Sequence, residues 1–160
     1  MKREVCLMRL VKQNELKPQR GEIGAIFQVF ISNHISRPLF SSRVPAGFPS
    51  PAEDYIEKAI DLNHELIQHP LSTFYLRVIG DSMEPLIHQD SLIVVDRLAT
   101  AKSGDIVVAQ MCGELCVKRM EMRDGSIWLK SENPLYEPIQ ITEEMDFQVW
   151  GRVMHAVYSF

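Results

Sequence analysis

Residues 80–85 read Gly-Asp-Ser-Met-Glu-Pro and follow a β-branched, aromatic stretch. A serine beside a glycine where a strand enters a turn can expose its hydroxyl and present backbone N–H groups to an oxyanion. Ser82 is therefore a candidate nucleophile. Alone the pattern is weak, because most turn serines only hydrogen-bond to nearby backbone. A serine nucleophile also needs a base. His34, His64, His69, His88 and His155 lie in no triad motif, and the Gly-x-Ser-x-Gly elbow is broken by Glu84. The other candidate base is Lys118, in the run Leu115, Cys116, Val117, Lys118, Arg119, Met120. Strand side chains alternate, so Cys116, Lys118 and Met120 share one face and Leu115, Val117 and Arg119 the other. Apolar company penalises an ammonium, and a neutral lysine is a competent general base for serine. On the strand alone, a lysine snorkelling from a sheet edge with its head in water is the commoner arrangement.

The cysteines offer less chemistry. Cys6, Cys112 and Cys116 are an odd number, and Cys112 and Cys116 are four apart with no neighbouring histidine. That spacing suits neither a disulfide framework nor a metal site. They read as small buried or turn residues in a reducing cytoplasm. No cofactor and no metal is implied.

The elements that must position Ser82 and Lys118 are mainly strands. Residues 73–79, 91–96, 105–111, 114–120 and 126–130 are rich in β-branched and aromatic residues, as are 147–150 and 153–158. Cys112-Gly113 between two of these runs predicts a two-residue hairpin turn. Residues 52–59 have helix-forming composition, and 61–67 predict a further turn or two of helix ended by Pro70. Many short strands with little helix predict a mostly β domain with a curved or barrel-like sheet. Before it, residues 43–51 hold three prolines and a glycine, which excludes helix and central strand. This stretch reads as an exposed linker between an N-terminal arm, 1–46, and a body, 47–160. Ile23 to Ile31 is too apolar for a free tail and should pack on something.

A chain of 160 residues and 18.4 kDa with 46% apolar and 24% charged residues suits one globular domain with an arm. Its apolar runs fall far short of the ~20 residues of a membrane helix. Lys2 and Arg3 precede no signal-peptide pattern, since Arg9 and Lys12 interrupt the apolar stretch. The arm carries a net +5 and the body −9. An acidic body disfavours non-specific nucleic-acid binding, and a basic arm is better suited to lie on that body than to grip DNA. The apolar run from Phe147 to Phe160 suggests a strand buried in a homodimer.

Taken together, the residues carry more than each does singly. Gly80-Asp81-Ser82-Met83 stands 36 residues before Lys118, with Gly104-Asp105-Ile106-Val107 opening a strand between them. Over about residues 38–158 the chain resembles the LexA-type self-cleaving serine peptidases, which use a Ser–Lys dyad. The resemblance implies Ser82 as nucleophile, Lys118 as base, Ala46-Gly47 as the bond cut, and the backbone N–H groups of Ser82 and Asp81 as oxyanion donors. Residues 47–55 (Gly-Phe-Pro-Ser-Pro-Ala-Glu-Asp-Tyr), 60–63 (Ile-Asp-Leu-Asn) and 66–70 (Leu-Ile-Gln-His-Pro) are similar to the UmuD-type branch. That branch supplies self-processing subunits of error-prone polymerases in the bacterial SOS response. It implies cleavage stimulated by a RecA–single-stranded-DNA filament, a homodimer, and a UmuC-type translesion DNA polymerase as partner. Sequence-specific DNA binding and membrane attachment are not implied. Two departures stand out. The loop after Ser82 is a residue or two short and lacks Asp-Gly-Asp, and the arm is longer by about 22 residues.

Three rival readings remain at this level. A LexA- or phage-type repressor needs a DNA-binding domain of roughly 60 residues, and residues 1–46 show no helix-turn-helix. A signal-peptidase relative shares Ser-Met-x-Pro but needs a membrane anchor. A non-catalytic polymerase-binding module with a vestigial dyad has no sequence feature against it.

Overall fold

The computed structural model describes residues 23–28, 35–40 and 56–160. The linker 43–51, the Ala46-Gly47 bond, Cys6 and His34 lie outside the described residues. Strand β1 (Ile23–Gln28) is followed by β2 (Arg37–Phe40), β3 (Ile56–Ile60) and a five-residue helix, α1 (Leu62–Leu66). Then come β4 (Thr73–Val78), β5 (Leu92–Asp96), β6 (Ile106–Met111), β7 (Glu114–Arg123), β8 (Ser126–Lys130), β9 (Ile139–Gln140) and β10 (Gln148–Val157). Eight strands form one sheet in the order β1-β4-β5-β10-β6-β7-β8-β9, and β2 and β3 form a separate pair. Every pairing is antiparallel. The fold is mostly β, as the strand-rich sequence predicts. Its sheet ends at β1 and β9, so it is open rather than a closed barrel.

The helix expected over residues 52–59 fails at 56–59, and 52–55 lie outside the described residues. Ile56–Ile60 is a strand, paired with β2 in the register Arg37↔Ile60 to Phe40↔Ile56. Helix-forming residues such as Glu57, Lys58 and Ala59 carry only a weak local preference, and a strand partner across the linker outweighs it. The helix itself begins one element later. Asp61 caps α1 by accepting from Asn63 N–H at 2.9 Å. The expected turn forms at Cys112-Gly113, with φ of +51° and +81°. Two positive φ values are what a type I′ hairpin requires, and glycine takes the second at little cost.

The C-terminal apolar run is one strand, not two. β10 runs from Gln148 to Val157 and absorbs a register shift between Val149 and Gly151 and another between Val153 and His155. It lies between β5 and β6, so most of its apolar content is accounted for inside its own sheet. Val157, Tyr158 and Phe160 remain exposed. Ile23–Gln28, from the stretch that should pack on something, pairs with β4 from Ile23↔Val78 to Gln28↔Phe74.

Two buried clusters follow from strand alternation. Leu76, Val78, Ile93, Val95, Val108 and Val117 form one, and Met83 and Ile87 from the loop after β4 complete it. Val107, Ala109, Met111, Cys116, Met120 and Leu129 form the other. Among the described residues, no helix is long and apolar enough to cross a membrane.

Candidate active site

Ser82 lies in the loop between β4 and β5. Gly80, at φ +90°, turns the chain out of β4 in a conformation that side-chain-bearing residues rarely adopt. The chain then dives back into the core. Met83 is 1% and Ile87 2% exposed, and Ile87 N–H donates to the Met83 carbonyl at 2.8 Å. These apolar residues flank the serine and fix its loop to the first cluster. Burying a side chain of this size contributes about 1.5–3 kcal/mol, so the loop is held by packing as well as by turn hydrogen bonds.

Lys118 comes from β7, which is flanked by β6 and β8 and opposes Val107 in register. It is not at a sheet edge and does not snorkel, being 6% exposed, as is Ser82. Lys118 Nζ donates to Ser82 Oγ at 2.7 Å, across 36 residues of sequence. The alternation expected along β7 is observed: Val117 joins the first cluster with Leu115 packed against it, while Cys116 and Met120 join the second. The two candidate residues named from sequence are thus brought together, and two of the histidines, His69 and His88, pair with carboxylates elsewhere. His69 Nδ1 pairs with Asp96 Oδ2 at 2.5 Å and His88 Nδ1 with Glu84 Oε2 at 2.6 Å. Cys112 is exposed and Cys116 is buried.

The segment 131–136 closes over the same loop and was not singled out from sequence. Asn133 N–H donates to the Ser82 carbonyl at 3.0 Å, and Asn133 Nδ2 to the Asp81 carbonyl at 3.1 Å. The Tyr136 hydroxyl bonds Asp81 Oδ1. Arg119, on the opposite face of β7 from Lys118, pairs with Glu132 Oε1 at 2.5 Å and ties down the start of this segment. The only sequence signal was the turn-forming Asn-Pro dipeptide at 133–134.

A loop serine whose hydroxyl contacts the amine of a buried strand lysine is the geometry that nucleophile–base catalysis requires. Residues 38–154 match the family model described as Peptidase S24-like, and the chain belongs to that family. Protein SamA of Salmonella typhimurium is 46% identical over 123 residues, 76% of this chain and 85% of SamA. Protein ImpA of Escherichia coli is 39% identical over 129 residues, 76% of this chain and 83% of its own length. Protein MucA of Escherichia coli is 37% identical over 136 residues, 81% of this chain and 92% of MucA. With these relatives the chain stands among the UmuD-like members of a family of self-cleaving serine peptidases.

Proposed function

We propose that this chain cuts its own Ala46-Gly47 bond, with Ser82 as nucleophile and Lys118 as general base, and then serves as a processed subunit of SOS mutagenesis. The observation that carries this reading is the 2.7 Å contact between Lys118 Nζ and Ser82 Oγ, with both residues buried. In its neutral form the amine accepts the serine proton as Ser82 Oγ attacks the Ala46 carbonyl carbon. The tetrahedral oxyanion is held by the backbone N–H groups of Ser82 and Asp81. Its collapse breaks the bond to Gly47 nitrogen, which takes the proton from Lys118. Water then attacks the acyl-enzyme, with Lys118 as base again, and frees Ser82.

The placement of the bond within the chain supports self-cleavage. Residues 41–55 connect two strands paired with each other, β2 and β3. The bond therefore lies in a connection whose two ends are held close together. Residues 1–46 form the segment separated by cleavage, and 47–160 the peptidase and partner-binding domain. In this reading a RecA–single-stranded-DNA filament stimulates cleavage in the cytoplasm. The shortened form dimerises and joins a UmuC-type translesion polymerase.

The test is intact-mass spectrometry of the purified full chain across a pH series. Loss of a 46-residue fragment that speeds up with rising pH is the expected result, because only the neutral lysine can accept the proton. A non-catalytic binding module gives no fragment at any pH, and that outcome would defeat the proposal.

A further inference from the structure

Asn133 takes no part in the steps above, yet it grips the nucleophile's backbone. Its N–H reaches the Ser82 carbonyl at 3.0 Å and its Nδ2 the Asp81 carbonyl at 3.1 Å. Its other groups close its own turn: Oδ1 accepts from Leu135 N–H at 3.0 Å and its carbonyl from Tyr136 N–H at 3.1 Å. The residue is 9% exposed, and Pro134 biases its backbone toward an extended conformation. A short side chain with both an acceptor and a donor is needed to close the turn and reach Asp81 at once, which suits asparagine.

The consequence lies on the far side of the peptide. The Asp81 carbonyl is held by Asn133 Nδ2 and by Glu84 N–H, the latter at 3.0 Å. In a trans peptide the N–H points opposite to the C=O. Turning the Asp81 carbonyl toward Asn133 therefore turns the Ser82 N–H the other way. We infer that Asn133 is a positioning residue that aims the Ser82 N–H at the oxyanion through its grip on the Asp81 carbonyl. The inference rests on Ser82 being the nucleophile. Asn133 itself touches no reacting atom.

Asn133→Ser tests this. A serine hydroxyl can still cap the Leu135 N–H but is too short to reach the Asp81 carbonyl, and the change adds no charge near Lys118. The expected result is a fall of about ten- to a hundredfold in the plateau rate of self-cleavage, the scale on which a misaimed oxyanion donor acts. The pH at half-maximal rate should not move, because the base is untouched. A plateau within twofold of the parent overturns the inference. So does a shifted pH midpoint at unchanged plateau, which would mean that Asn133 acts on Lys118 instead. A second measurement does not depend on cleavage. In a Lys118→Ala background, hydrogen exchange at the Ser82 amide, followed by NMR, should be at least about tenfold faster with Asn133→Ser; unchanged exchange overturns the inference. Absence of cleavage in the parent defeats the peptidase reading alone, and the exchange measurement then still decides the role of Asn133.

Discussion

A buried lysine that contacts a serine hydroxyl is poorly matched to its surroundings unless it is used. Taking a polar amine out of water costs free energy, whereas an apolar side chain of similar length fits a strand interior without that cost. Lys118→Met should therefore keep or raise the thermal midpoint while abolishing self-cleavage. A melt and an intact-mass assay on one preparation test both halves, and a large drop in midpoint would contradict the first. Lys118→Arg should also be inactive at every pH, because a guanidinium stays protonated and cannot take the serine proton. Ser82→Ala should lose cleavage with little change in midpoint, since only one hydroxyl is removed. Cleavage at the parental rate in Lys118→Arg would remove the lysine from the mechanism.

Between elements, two devices hold the site in shape. Met83 anchors the serine loop in the core, and Met83→Ala should cost about 2–5 kcal/mol in urea unfolding by leaving a cavity. At the other end of β4 and β5, Asp96 gathers the His69 side chain, the Leu98 N–H at 2.9 Å and the Ser72 hydroxyl at 3.0 Å. Burial works to raise the Asp96 carboxyl, but these hydrogen bonds, with the charge of His69, outweigh it and hold the group below the usual carboxylate value. The sign follows directly. A carboxyl lowered in the folded state adds stability above its unfolded value near 3.9, and that stability is lost as pH falls through the folded value. The thermal midpoint should drop below about pH 4, and Asp96→Asn should lower it at neutral pH while flattening the acid limb. An acid limb unchanged in Asp96→Asn would place the sensitivity elsewhere.

Across the whole molecule, strands from both sides of the proposed cleavage bond are interleaved. β1 and β2 precede Ala46, and their partners β4 and β3 follow it. Cutting one peptide bond breaks none of those pairings. The fragment 1–46, with its net +5, should therefore stay with the body, net −9, on native size exclusion and separate in denaturant. High salt should weaken the association by screening it. Separation in native buffer as fast as cleavage would show that the strand pairings do not hold the fragment. The exposed Val157, Tyr158 and Phe160 at the end of β10 offer a compact apolar contact for a second copy. Sedimentation at micromolar concentration should show a dimer, and a monomer there would count against it.

Ser82 and Lys118 left only weak local traces in the sequence, and it was their combination with Gly104-Asp105-Ile106-Val107, in its resemblance to the LexA-type peptidases, that singled them out. One is a hydroxyl on a glycine turn, the other a lysine between apolar residues at strand period. The strands of the body and the Cys112-Gly113 turn were legible locally, since alternation and positive φ are properties of a few neighbouring residues. The 2.7 Å contact between the two side chains was not, because it joins residues 36 apart through the packing of a loop against a sheet. Nor was Asn133, whose bonds to Asp81 and Ser82 span about fifty residues and leave only an ordinary turn signal behind. Residues 56–60 show the limit most clearly. Their composition favours helix, and only a strand from the other side of the linker makes them β. Local sequence sets what each segment prefers. Pairing between distant segments decides which preference is realised, because each strand needs a partner for its backbone hydrogen bonds and the sequence does not say which segment that partner is.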